Sequence, residues 1–149
     1  GPFSTFDGVD RELVLLHGNG VRLRFDDGEV RDVEPPHGRV RFAGECAVSG
    51  ELIDGTTHDF NLMWRRERID AHLWHRPLVG SMVLFVEPGE TWAVHVLSGR
   101  TDAADGSDRV AASMGDTLLL TATAGRARFA LDGGGEVLVI RLRPVSAEM

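Results

Sequence analysis

The sequence predicts an all-β fold, a sandwich or small barrel of about eleven short strands. Three observations carry this. Eighteen glycines fall between short apolar runs. Several of those runs alternate apolar and charged residues with period two, the mark of a half-buried strand. No segment sustains a helical period.

Glu12 to His17 reads as a strand, Gly18-Asn19-Gly20 as a turn, and Val21 to Phe25 as the returning strand. Val21, Leu23 and Phe25 alternate with Arg22 and Arg24, and Val40 and Phe42 alternate with Arg39 and Arg41, so each strand has one buried and one solvated face. Arg66 to His75 fits either a strand or an irregular excursion between two halves. Ser81 to Glu87 leads through a Pro88-Gly89-Glu90 turn to Thr91 to Ser98. Thr117 to Thr123 reads as buried on both faces. Ala127 to Leu131 and Val137 to Arg143 close the set, with Gly133-Gly134-Gly135 read as the hairpin turn between them.

An internal echo suggests two halves, residues 1–66 and 67–149, of one domain. Val14-Leu15-Leu16-His17-Gly18 is answered by Val96-Leu97-Ser98-Gly99, and Ala43-Gly44-Glu45 by Met114-Gly115-Asp116. A strand, a glycine turn and then a Gly-acid turn in each half is the punctuation of a cupin barrel, here two related cupin halves.

Composition narrows the function. The 149 residues suit one compact domain, and a 42% hydrophobic content supplies a core. A net charge of −7 argues against a nucleic-acid partner, which needs a basic footprint. No apolar run is long enough to span a bilayer as a helix. All 16 basic residues are arginine, so Schiff-base chemistry and a lysine base are excluded, and fixed positive charge comes as bidentate guanidinium. One cysteine, Cys46, permits no internal disulfide and no Cys-rich zinc site, which fits a cytoplasmic location. Cys46 is read as a small core residue, with a nucleophile as the alternative.

Several motifs resemble a known family. Gly1-Pro2-Phe3-Ser4-Thr5-Phe6 followed by Gly8-Val9-Asp10-Arg11 is similar to the GPFS-x-F-x-G-x-DR opening of the HutD/Ves family. Phe42-Ala43-Gly44-Glu45 is similar to its F-x-G-D/E element. Asp59-Phe60-Asn61-Leu62-Met63-Trp64-Arg65-Arg66 resembles its D-x-N-x-M-x-R-R signature, the most specific of the matches. The resemblance implies a cupin-type β-sandwich associated with bacterial histidine utilisation or stress response, with no assigned catalytic activity. It implies a sensing or limiting role toward a small carboxylate such as urocanate or N-formylglutamate. An N-terminal family segment containing a W-x-N-G-G-G-x-T-R-E-like motif is missing here. A sheet edge left open by that departure would favour homo-oligomerisation.

The candidate ligand-binding residues are Asp10, Arg11, Asp59, Asn61, Met63, Arg65 and Arg66. On a strand Asp59, Asn61, Met63 and Arg65 share one face, while Phe60, Leu62 and Trp64 share the other. A carboxylate, an amide and a guanidinium together make either a pocket floor or a solvated outer face. Arg65 can grip a carboxylate and Asn61 offers a donor and an acceptor. Asp10 and Arg11 point oppositely. Asp10 is read either as capping a turn or as flanking Arg11 at a barrel mouth.

No metal and no cofactor are expected. A metal cupin needs a His-x-His pair, a nearby Glu and a later His. His95 has no second histidine two residues away, His72 and His75 are three apart, and His17, His37 and His58 stand alone. His58, beside Asp59, is a candidate proton-transfer group or a surface histidine. No nucleophile elbow, phosphate loop or dinucleotide fingerprint is present. The leading expectation is a metal-independent metabolite-binding regulator. A metal-free enzyme acting on a small acid and a structural or interaction module are the alternatives.

Overall fold

The computed structural model describes residues 1–146. Eleven β-strands and no helix are found among the described residues, confirming the all-β class. The chain divides into two compact units, Gly1–Arg68 and Ile69–Met149.

The first unit holds β1 (Val9–His17), β2 (Val21–Phe25), β3 (Val30–Val33), β4 (Arg39–Ala43), β5 (Val48–Leu52) and β6 (His58–Arg65). They form two antiparallel three-stranded sheets, β4-β1-β6 and β3-β2-β5. Leu13 and Leu15 from one sheet pack with Val21, Leu23, Val33 and Val48 from around the other. Cys46 is half-buried and packs on this cluster, as a core residue would. On the outer face of β2, Arg22 donates twice to Asp32 on β3, at 2.8 and 3.0 Å, and Arg24 donates to Glu51 on β5 at 3.2 Å. The alternation read from the sequence therefore holds, with the arginines outward and paired across strands.

The second unit holds β7 (Ile69–Val86), β8 (Thr91–Asp105), β9 (Asp108–Ser113), β10 (Thr117–Thr121) and β11 (Ala127–Pro144). The sheet order is β10-β8-β11-β7, with β9 pairing β8. Its core gathers Val94, Val96, Leu118, Leu120, Leu131, Val137 and Val139.

Three expectations are corrected here. Gly133-Gly134-Gly135 is no hairpin turn: β11 runs through it without a break, opposite Gly80 to Leu78 of β7 and Thr101 to Gly99 of β8. A Cβ on Gly99 would sit 1.9 Å from the Gly134 carbonyl oxygen, and one on Gly135 would sit 2.1 Å from that of Ser98. Gly99 and Gly135 have φ of 75° and 114°, so the glycines permit close backbone approach and a bend within long strands. By the same token Gly99 lies inside β8 and does not answer Gly18. Thr117–Thr121 is not buried on both faces, since Leu119 is 70% exposed while Leu118 and Leu120 are buried. The strand lies at the end of the sheet order and ends at Thr121. The ambiguous stretch resolves into a turn over residues 66–68 and the start of β7 at Ile69.

Candidate functional site

The first unit concentrates the unusual chemistry around Arg11. In an antiparallel ladder, residues directly opposite project to the same face. Arg11 is opposite Phe42 on β4 and Met63 on β6. Val9, Arg11, Leu13 and Leu15 thus share a face with Arg65, Met63, Asn61 and Asp59, and Leu13 and Leu15 on that face belong to the core. The D-x-N-x-M-x-R face is therefore turned to the core side of its sheet. It remains exposed because β6 is the outermost strand of the sheet.

Arg11 is only 7% exposed. Its guanidinium carbon lies 5.3 Å from the Phe3 ring centre, 5.7 Å from Phe6 and 5.1 Å from Phe42. Nη2 donates to Asn61 Oδ1 at 3.1 Å and Nη1 donates to the Ser4 carbonyl oxygen at 3.3 Å. The buried Nε–H has no acceptor. No carboxylate pairs with Arg11 among the described residues, and burial lowers its pKa from the ordinary guanidinium value. A desolvated cation inside three phenyl rings, with an N–H to spare, has the chemistry to pair with an anion.

Beside it lies a concavity of about 520 Å³ lined by Phe6, Asp7, Gly8, Val9, Arg65, Glu67 and Arg68. Phe6 belongs to both features, forming a wall of the concavity and one side of the Arg11 cage. Arg65 is exposed on the concavity and sits diagonally across the β1–β6 ladder from Arg11. That relation separates the two backbones by about 7–8 Å, within reach of two long side chains.

The remaining candidates go elsewhere. Arg66 donates to Asp10 Oδ1 at 3.1 Å, to Glu45 Oε1 at 3.0 Å and to the Val9 carbonyl oxygen at 3.3 Å. Glu45 also accepts from the Gly8 N–H at 3.0 Å. Asp10 therefore holds Arg66 and not a turn of backbone N–H groups. The Arg66 guanidinium, followed by the Gly8 N–H, draws the Glu45 carboxyl down to about 2, and the same contacts raise Arg66. This cluster ties the β1 entry to the turns after β4 and β6. Asp59 lies four residues from Met63 along β6, roughly 13 Å at strand rise. Desolvation pushes its carboxyl up, against the pull of His58 and the Thr57 hydroxyl. His58 is exposed and meets His17 edge-on, ring centres 6.0 Å apart. Asp59 to Arg65 spans six residues, roughly 20 Å, so a small ligand contacts only part of that face. The structure thus brings Arg11, Asn61, Met63 and Arg65 together, and places Asp59 along the strand and Asp10 with Arg66 in a separate ion cluster.

Sequence reasoning missed the phenyl cage. Phe3, Phe6 and Phe42 stood in the motifs, but only the β1–β4 pairing and the entering chain bring them onto one guanidinium.

An uncharacterised 21.2 kDa protein from the hutC 3′ region of Pseudomonas putida is 40% identical over 73 residues, covering 49% of this chain and 38% of that protein. Protein Ves from Citrobacter koseri is 36% identical over 72 residues, covering 48% of this chain and 37% of Ves. The matched stretch therefore spans less than two fifths of either relative. The solved structure of HutD from Pseudomonas fluorescens superposes with a TM-score of 0.79 at 27% identity, covering 98% of this chain and 74% of that one. The HutD family model matches residues 1–139. With its all-β, cupin-like fold and these matches, the chain belongs to the HutD family.

Proposed function

We propose that this chain is a metal-independent binding protein for a small carboxylate, acting as a sensor or regulator in histidine utilisation. One observation carries the reading: Arg11 is buried in a phenyl cage with an unused Nε–H and no carboxylate partner. Burying a guanidinium without a counter-ion is costly, and a bound carboxylate removes that cost by a charge-assisted pair. Arg65, diagonal to Arg11 on the adjoining concavity, offers a second guanidinium. A ligand with two acidic or strongly polar ends, such as N-formylglutamate, suits that spacing, and urocanate suits the cage and one guanidinium. Asn61 orients the Arg11 fork from one side through its Oδ1. We read the two units as related cupin halves, a view supported by the Gly-acid turn in each, at Gly44-Glu45 and at Gly115-Asp116.

A metal-free enzyme is the second reading, motivated by the raised Asp59 carboxyl. Its roughly 13 Å offset along β6 from the residue opposite Arg11 leaves it out of contact with a small acid held there, so binding is favoured over turnover. Calorimetric titration with urocanate and with N-formyl-L-glutamate tests the proposal. Saturable binding of N-formyl-L-glutamate, which has no aromatic ring, is expected, and Arg11→Met is expected to abolish it. Binding of neither acid, or equal binding of N-formyl-L-glutamate by the variant, overturns it.

A further inference from the structure

We infer that the second unit carries its own ligand site, for a small planar aromatic anion, at the Trp74–Trp92 pair. The inference does not rest on Arg11. Register brings the two indoles together from separate strands: Trp74 of β7 is opposite Val139 of β11, and Trp92 of β8 is opposite Arg141 of β11. Val139 and Arg141 alternate onto one face, the face that also carries the core residues Val94 and Val137. The two rings stack nearly parallel, with centres 5.9 Å apart and planes 12° apart.

Instead of being sealed into the core, the pair borders a concavity of about 290 Å³ whose other walls are Arg76, Met82, Leu84 and Val139. That lies near the lower end of the roughly 300–1,000 Å³ typical of small-molecule sites, which suits a ligand of one or two rings. Indole faces and a methionine thioether suit an aromatic ring.

The charge around the pair selects an anion. Arg76 is exposed on the concavity and has no acceptor among the described residues. The Arg141 guanidinium lies 5.5 Å from the Trp74 ring centre and 6.0 Å from that of Trp92, and its buried Nε has no hydrogen-bond partner. The carboxylate that reaches Trp92, Glu90, is already compensated. It accepts from Arg143 Nε at 3.1 Å and Nη2 at 2.9 Å, from Trp92 Nε1 at 3.3 Å and from the Glu87 N–H at 3.0 Å. Glu90 thereby fixes the Trp92 ring while leaving the surplus charge positive. An aromatic ring against the indoles with its carboxylate on Arg76 uses the ring walls and the free guanidinium of the concavity, and the Arg141 charge over the indoles adds to the positive potential there.

The test is titration of the whole chain with trans-cinnamate, read by tryptophan fluorescence and by calorimetry, with trans-cinnamamide and butyrate as controls. Cinnamate is expected to quench saturably, with the uncharged amide and the aliphatic acid each weaker by roughly tenfold or more. Arg76→Ala, at an exposed position, is expected to weaken cinnamate by roughly tenfold at unchanged melting temperature, and Arg11→Met to leave it unchanged. Absence of saturable binding in the millimolar range overturns the site. So does equal binding of the amide, or binding lost in Arg11→Met but kept in Arg76→Ala.

Discussion

Replacing Arg11 by methionine separates the two roles that a buried arginine can hold. Met is of similar reach, carries no charge and suits a pocket of Phe3, Phe6 and Phe42. The change forfeits two hydrogen bonds, to Asn61 Oδ1 and the Ser4 carbonyl, worth about 1.5–3 kcal/mol each because the donor is charged. It also removes a desolvated, uncompensated cation, a penalty of several kcal/mol, and an unmet Nε–H costing about 1–3 kcal/mol. The two sides offset to within a few kcal/mol. With about 2–4 °C per kcal/mol for a chain of this size, the variant's melting temperature stays within roughly 10 °C of the parent. Carboxylate binding behaves differently. Truncating one partner of a buried charge pair costs about 2–5 kcal/mol, a fall in affinity from roughly thirtyfold to several thousandfold. Thermal unfolding with and without N-formyl-L-glutamate reads both quantities in one experiment. The expected result is a modest change in the free protein and loss of the ligand-induced shift. A fall well beyond 10 °C with the ligand shift retained would show that Arg11 is a structural strut and refute the reasoning.

Three further expectations follow from the same structure. The Glu45 carboxyl is held at about 2, below its ordinary 4.5, so its contribution is present above pH 4.5 and is lost as pH falls through 2. Arg66→Met removes the main cause of that depression, so the melting-temperature gap between parent and variant is positive at pH 6 and closes between pH 5 and pH 2, as calorimetric scans across that range will read. Gly99→Ala forces a Cβ to 1.9 Å from the Gly134 carbonyl oxygen at φ 75°, and denaturant titration should register a loss of at least about 2 kcal/mol. Leu131→Ala, at a fully buried core position, should cost about 2–5 kcal/mol, whereas Leu119→Ala, on the exposed face of β10, should stay within about 0.5 kcal/mol by the same assay.

The parts of the fold visible in the sequence are those set by neighbours in the chain. Strands β1 and β2 and the outward arginines of β2 and β4 follow from period-two alternation, and the structure keeps them; Gly18-Asn19-Gly20 closes no hairpin, because it passes the chain from the β4-β1-β6 sheet to the β3-β2-β5 sheet. The triglycine was misread because glycine marks both turns and bends within strands. Which applies at Gly133–Gly135 depends on the Ser98 and Arg100 carbonyls of β8, more than thirty residues away. The apolar run at Thr117–Thr121 carries no sign of its position at the end of the sheet, and that position leaves Leu119 exposed. The candidate site shows the same division. Arg11, Asn61, Met63 and Arg65 were legible as motif residues on strands. Their convergence depends on the β1–β6 register, in which Arg11 meets Met63 with Asn61 on one diagonal and Arg65 on the other. Arg66 closes the same D-x-N-x-M-x-R-R run as Arg65, yet a one-residue step at the end of β6 sends it to Asp10 and Glu45.

The Nε–H proton of Arg11 reports on the central claim most directly. Its resonance, assigned by its absence in Arg11→Met, can be followed by proton–nitrogen correlation NMR as N-formyl-L-glutamate or urocanate is added. The account predicts a saturable downfield movement of this one signal as the orphan N–H gains a carboxylate acceptor. An Arg11 resonance that stays fixed while calorimetry records binding of the same acid would contradict it.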